Sequence, residues 1–212
     1  MMIFTLLSIL LVFSVRITNG QMKATATLHF DMNETNSGII TFTQANANSP
    51  VIVTGTLKGL VPYTMLHGFH VHQTNIDGTL NCTAANGHFN PYNKLHGGQN
   101  FTIDHRHVGD LGNVWVDGSG TAMINITDYI IQLYNQTQSI ANRTLVVHQM
   151  TDDNGLGNST DSNTTGHAGI RLACGVIRIT SSGNILSNAP WYLFMISLAL
   201  IFICHNITDR FQ

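Results

Sequence analysis

The chain reads as an all-β protein, an eight-stranded Greek-key sandwich or flattened barrel with two long functional loops. Two observations predict this. Short segments of alternating or β-branched residues recur along the middle of the chain, divided by turns rich in Gly, Pro and Asn. No stretch there carries the period of an amphipathic helix ten residues long. The part between the two apolar ends has the length of a single domain.

The predicted strands follow in order. Segment 24–30 sets Ala24, Ala26 and Leu28 against Thr25, Thr27 and His29, the period of a strand with one face inward. Segments 38–43 and 51–57 are rich in Ile, Val and Thr, which favour strands. Segment 65–72 ends in HGFHVH, and 114–116, 120–126, 143–148 and 173–179 complete the set. The stretches 73–113 and 149–171 fall between strands as long loops, where function tends to sit on a rigid frame. There is no internal repeat, nucleotide-binding loop or basic patch, so nucleic acid is not an expected partner.

Seven residues make the most specific chemical statement: His70, His72, His88, His96, His107, Asp110 and His148. On a strand, residues two apart point to the same side, so His70 and His72 can grip one ion. Neutral imidazole binds zinc and copper well, and one aspartate among histidines is a common fourth ligand in a closed zinc site. A lone His-x-His pair is more often a surface or satisfied pair. Five further candidate ligands, set among glycines and loop residues, make accident the poorer explanation, and two metal sites are possible.

The words HGFHVH, GHFNP, HGG, HVGDLGN, RTLVVH, TGHAG and RLACGVI, in this order between about residues 24 and 179, resemble the copper/zinc superoxide dismutases. The resemblance implies copper at His70, His72, His88 and His148. It implies zinc at His88, His96, His107 and Asp110, with His88 bridging the two ions as an imidazolate. Copper would cycle while superoxide is converted to oxygen and hydrogen peroxide, and the four-ligand zinc would be structural. Asp152 matches an aspartate that hydrogen-bonds one histidine from each metal set. Arg171, in GIRLACG, matches an arginine beside copper that draws in and orients the anion. Thr165 matches a threonine narrowing the channel mouth with it, although His167 replaces an asparagine two residues on. Arg171 and His88 are thus the expected catalytic residues.

Departures from the family are also legible. Thr160, Asp161 and Thr164 stand where glutamates and a lysine commonly shape the approach field, and only 9% of the chain is charged. Guidance is therefore expected to rest mainly on Arg171. The zinc loop is two residues longer than usual, and His105 is expected to be an exposed loop residue, since HVGDLGN matches His107 and Asp110. Of the three cysteines, the resemblance pairs Cys82 with Cys174 and leaves Cys204 in an apolar tail. Such a disulfide fits an oxidising compartment.

Both ends bear on location. Residues 1–20 read as a signal peptide, with an apolar run over 3–15 and small residues before Gln21, though without the usual positive charge at its start. The domain is expected over 21–181, and 182–212 forms an apolar tail. There, Ser181, Ser182 and Gly183 precede an apolar run over 191–204, the layout of a glycolipid-anchor signal, with a short membrane segment as the alternative. The ending HNITDRFQ is more polar than such signals usually are. Sequons at Asn33, Asn81, Asn100, Asn125, Asn135, Asn142, Asn158, Asn163 and Asn206 agree with export. A secreted or surface-attached protein is expected.

Animal and plant members of the family are commonly dimers, meeting through positions that Asn81, Asn142 and Arg178 occupy here. Two sequons and a charge in a tight apolar interface oppose closure, so a monomer is expected. A non-catalytic metal buffer and a zinc hydrolase are the alternative functions. The first usually lacks a ligand or the arginine, and the second needs an open zinc position, which four protein ligands would fill.

Overall fold

The computed structural model describes residues 18–60, 66–134, 136–181 and 184–185. Asn19–Gly183 is one compact unit. Met1–Thr18 with Asn184–Gln212 is a second, described only at Thr18 and Asn184–Ile185. The signal peptide, the apolar tail with Cys204 and Asn206, the anchor candidates Ser182 and Gly183, and the sequon at Asn135 lie wholly or almost wholly outside the described residues.

The main unit is all-β. Its strands are β1 (Met22–Phe30), β2 (Asn36–Gln44), β3 (Val51–Leu57), β4 (Leu66–His72), β5 (Asp110–Trp115), β6 (Ala122–Asp128), β7 (Thr144–His148), β8 (Arg171–Val176) and β9 (Arg178–Ser181). The order in the sheet is β5-β4-β7-β8-β1-β2-β3-β6, and β9 pairs with β1. All of these pairings are antiparallel. The end strands β5 and β6 lie alongside one another, so the sheet nearly closes into the expected barrel.

Alternation explains why the barrel fills. Ala24, Ala26 and Leu28 of β1 are fully buried, as are Ile40 and Phe42 of β2 and Val51, Val53 and Leu57 of β3. They form one core with Phe69, Val71, Leu145, Val147 and Ile177. Each large side chain removed from water adds roughly 1.5–3 kcal/mol. Several expected boundaries differ. Strand 173–179 is split at Ile177, whose N–H donates to Arg143 O at 2.8 Å, so that β8 pairs with both β7 and β1 whereas β9, among the described residues, pairs with β1. Strand β5 starts at Asp110 rather than at 114, and β8 starts at Arg171, so both residues sit on strand ends rather than within the loops.

Among the described residues helix is confined to short turns: a 3₁₀ turn at Cys82–Ala85 and one α-helical turn, α1, at Ser162–Thr165. Cys82 and Cys174 are bonded, which staples the 3₁₀ turn to β8 across 92 positions of sequence.

Candidate metal centre

Strand β4 is covered on both sides, and its residues 67–72 are all buried. A register shift lies between Gly68 and His70 where β4 meets β5, and His70 stands opposite Asp110. His148 ends β7, and β4 and β7 are neighbours. His88, His96 and His107 come from the long loop between β4 and β5. All seven predicted ligands are buried.

They form two sets. The candidate donor atoms of His70, His72, His88 and His148 lie within 4.8 Å of one another, as do those of His88, His96, His107 and Asp110. His88 belongs to both.

Hydrogen bonds decide which nitrogen faces inward. Carboxylates and carbonyls accept only, so a neutral ring that donates to one has its lone pair on the other nitrogen. His70 Nε2 donates to Asp152 Oδ2 and His96 Nε2 to Asp152 Oδ1, both at 2.8 Å. His72 Nδ1 donates to Asn86 O at 2.7 Å and His148 Nδ1 to Gly169 O at 3.2 Å. That leaves the Nε2 atoms of His72 and His148 as two lone pairs 3.1 Å apart, repulsive unless a cation or proton lies between them. His70 Nδ1 and His88 Nε2 are buried with no hydrogen-bond partner. Such buried lone pairs are costly to leave unmet, and a metal ion meets them.

At the other set, His88 Nδ1 is 2.8 Å and His107 Nδ1 3.1 Å from Asp110 Oδ1, and the two nitrogens are 3.4 Å apart. His96 Nδ1 is 3.1 Å from Asp110 Oδ2. Ligands about 2.0–2.1 Å from a tetrahedral zinc stand about 3.3 Å apart, so these spacings suit zinc. Asp110 Oδ2 also accepts from the main-chain N–H groups of Gly97 and His107, which fixes its direction.

Electrostatics divides the sets. Burial, then the neighbouring imidazoles, pushes His72 and His148 well below the usual histidine range. Burial and His70 bring His88 down to about 3. Burial acts the same way on His96, but Asp110 and Asp152 on either side outweigh it and raise His96 to about 9. Burial would raise Asp110 and Asp152, yet the histidine N–H groups hold both below the usual carboxylate range.

Gly166 admits Asp152 to this position. A Cβ there would lie 2.0 Å from Asp152 Oδ1 and 2.5 Å from His96 Nε2, and its φ of 65° is left-handed.

The remaining predicted residues are placed as follows. Arg171 is half-buried, and its Nη1 donates to Cys82 O at 2.5 Å and Thr83 O at 2.9 Å, while Nη2 donates to Asn86 O. Thr165 closes α1, its hydroxyl directed to Asp161 O at 3.3 Å. His167 is exposed, with Nδ1 2.7 Å from Asp161 Oδ1. His105 is exposed and bonded to Thr102 Oγ1 at 3.0 Å, as expected of a loop residue. Asn33, Asn81, Asn100, Asn125, Asn142, Asn158 and Asn163 are exposed, as is Ser181.

Sequence reasoning missed four supporting residues. His67 is buried and its Nδ1 donates to His148 O at 2.8 Å. Asn113 exchanges two bonds of 2.8 Å with the main chain of Asp152. Asn86 supplies the carbonyl that meets both His72 and Arg171. Arg106, buried beside the zinc loop, pairs with buried Asp128 at 2.7 Å. All four lie in or beside the motifs HGFHVH, GHFNP and HVGDLGN, which was the only signal available.

Comparison with known proteins agrees with this geometry. The family model for copper/zinc superoxide dismutase matches residues 36–177. A superoxide dismutase [Cu-Zn] 5 of Dictyostelium discoideum is 49% identical over 143 residues, covering 68% of this chain and 90% of the relative. A superoxide dismutase [Cu-Zn] of Candida albicans is 42% identical over 167 residues, covering 79% and 97%. An extracellular superoxide dismutase [Cu-Zn] of Onchocerca volvulus is 45% identical over 166 residues, covering 77% and 79%. Its buried histidine clusters suited to copper and zinc, the chain belongs to the copper/zinc superoxide dismutase family, oxidoreductases acting on superoxide.

Proposed function

We propose that this chain is an extracellular superoxide dismutase with copper at His70, His72, His88 and His148 and zinc at His88, His96, His107 and Asp110. The observation that carries the reading is the sharing of His88, whose Nδ1 belongs to one donor set and whose unpartnered Nε2 belongs to the other. Bound copper supplies one-electron redox chemistry, so that one superoxide leaves as dioxygen and a second, with two protons, as hydrogen peroxide.

The chain's own residues do the rest. Arg171 offers a permanent cation whose carbonyl partners hold it in one direction, a fit for orienting a small anion. Thr165 narrows the approach beside it. His88 Nε2 is the buried atom at which a proton can be held and passed on. Asp152 holds the tautomers of His70 and His96, which keeps their Nδ1 lone pairs toward the ions.

The test is metal analysis with an assay of superoxide loss. Copper with turnover supports the reading, and zinc or copper bound without turnover leaves a metal-buffering protein. For guidance, the rate is followed against salt in the wild type and Arg171→Gln. A lower, less salt-sensitive rate is expected in the variant, and equal rates would sink the role.

Export is supported by the 1–20 signal, the sequons, the disulfide between Cys82 and Cys174, and the likeness to a relative named as extracellular. Secreted protein starting at Gln21, with a mass that falls on removing N-glycans, is the expected result. Attachment rests on the apolar 191–204 run after Ser181, Ser182 and Gly183. Among the described residues no helix is long and apolar enough to cross a membrane. Release by a phosphatidylinositol-specific phospholipase distinguishes a glycolipid anchor from a membrane segment.

A monomer is supported by the face where the family pairs. Arg178 Nη1 donates to Asn142 Oδ1 at 3.0 Å there and pairs with Asp77, in an open groove of about 600 Å³ that Thr25 and Thr27 also line. Charged Glu34, Asp77 and Arg178 stand in it among apolar Ile76, Leu80 and Val176, and such charges oppose a closing apolar interface. Sedimentation at the mass of a compact dimer, with Asn142 glycosylated, would contradict it.

A further inference from the structure

We propose that Asn86 is a positioning residue for superoxide guidance, whose main-chain oxygen holds His72 and Arg171 in one fixed relation and whose side chain locks that oxygen's direction. The proposal rests on the reading of His72 as a copper ligand and Arg171 as the anion guide.

One carbonyl serves two donors. Asn86 O accepts from His72 Nδ1 at 2.7 Å and from Arg171 Nη2. A carbonyl has two lone pairs, and both are used here. Rotation of the peptide after Asn86 would release the imidazole and the guanidinium together.

The backbone at this residue is strained. Asn86 has φ 59° and ψ −151°, a region in which side chains other than glycine seldom sit. Glycine would sit there without penalty. The chain carries asparagine nonetheless, and the side chain has a task glycine cannot perform, since Nδ2 donates to Thr74 Oγ1 at 2.7 Å.

Thr74 is itself anchored. Its N–H donates to Ala85 O at 3.1 Å, and its carbonyl accepts from Thr144 Oγ1 at 2.6 Å. Thr144 begins β7, the strand that ends in His148. The tether therefore runs from the strained peptide to the barrel strand carrying another ligand of the same set. Arg171 keeps its bonds to Cys82 O and Thr83 O without Asn86, but only the Asn86 oxygen links it to a ligand.

The test uses the full chain loaded with copper and zinc, in wild type, Asn86→Gly and Thr74→Val. Asn86→Gly relieves the strain and removes the tether, whereas Thr74→Val cuts only the tether. Azide is the probe, a small anion titrated through the copper absorption band, beside the copper paramagnetic resonance spectrum and the rate against salt. Both variants should bind azide more weakly, by up to about tenfold in Asn86→Gly and less in Thr74→Val, with altered copper spectra. Asn86→Gly should melt no lower than wild type, which a merely structural role would not give together with the weaker anion binding. Wild-type azide affinity and copper spectra in both variants would overturn the proposal. If Asn86→Gly fails to keep copper, Thr74→Val alone decides by the same readings. No azide response in the wild type itself would instead count against the copper site on which the proposal rests.

Discussion

Asp152→Asn separates the two metal sets, and the structure indicates which one suffers more. The wild-type carboxylate accepts from His70 Nε2 and His96 Nε2, both at 2.8 Å. An asparagine offers one acceptor and one donor, so one ring must turn its proton to Nδ1, the nitrogen that faces an ion. Neither His70 Nδ1 nor His96 Nδ1 has a hydrogen-bond partner, but His96 Nδ1 lies 3.1 Å from the charged Asp110 Oδ2, which would meet such a proton. The proton is therefore better accommodated on His96, and the amide nitrogen turns toward it. Losing an outer partner of this kind costs about 10–100-fold in metal affinity, or roughly 1.4–2.8 kcal/mol. The expected result is zinc held roughly 10–100-fold more weakly and copper less affected. Dialysis against graded chelator concentrations, with metal content read by mass spectrometry, measures both. Zinc held as tightly as in wild type, or copper lost first, refutes the reasoning.

Three further outcomes follow from other contacts. With His96 raised to about 9, metal-free protein at pH 7 carries a proton there, and zinc uptake should release it. The release should fade above about pH 9, as calorimetry in buffers of different ionisation heat would record, and no release at pH 7 would contradict it. The same raised value means that the stabilisation of the metal-free fold is full below the unfolded histidine range and declines as pH rises through about 9. Arg106→Met leaves the Asp128 carboxylate buried without its cation, for a loss of roughly 3–5 kcal/mol in urea unfolding, and adding Asp128→Asn should recover part of it. Cys82→Ser with Cys174→Ser opens a loop spanning 92 positions, worth about 4–5 kcal/mol at most on the chain-entropy account. An unchanged denaturation midpoint would argue against that stabilisation.

The strands were legible because a one-sided strand writes its burial into the sequence, as Ala24, Ala26 and Leu28 do against Thr25, Thr27 and His29. The metal sets were legible because His and Asp in that number have few other reasons to gather. Buried charge was not legible. Arg106 and Asp128 look like any surface pair in sequence, and only the closing of the loop over β6 takes both out of water. His67 is odd against His70 and His72 in a strand of period two, and the register shift beside Gly68, together with cover on both faces, makes it a buried support of His148. The break at Ile177 depends on its N–H meeting Arg143 O and on only the first half lying against β7, a matter of the third dimension.

The division of outer partners between the sets is the least legible property and governs the chemistry most. In the set proposed for copper, His72 and His148 donate to the neutral carbonyls of Asn86 and Gly169. In the set proposed for zinc the buried carboxylates of Asp110 and Asp152 meet His88, His96 and His107, and Asp152 reaches across to His70 as well. A carbonyl fixes a tautomer and favours the charged ring only weakly, whereas a carboxylate fixes the tautomer and stabilises the charge strongly. The metal-free protein is thus electrically uneven: His72 and His148 are held neutral with lone pairs inward, while His96 is held as a cation between two anions. His72 and His148 are ready for a cation without first shedding a proton, and His96 must give one up. Spacing along the chain carries none of this, because it lies in which atom of a partner, often a main-chain oxygen, the fold brings to each ring.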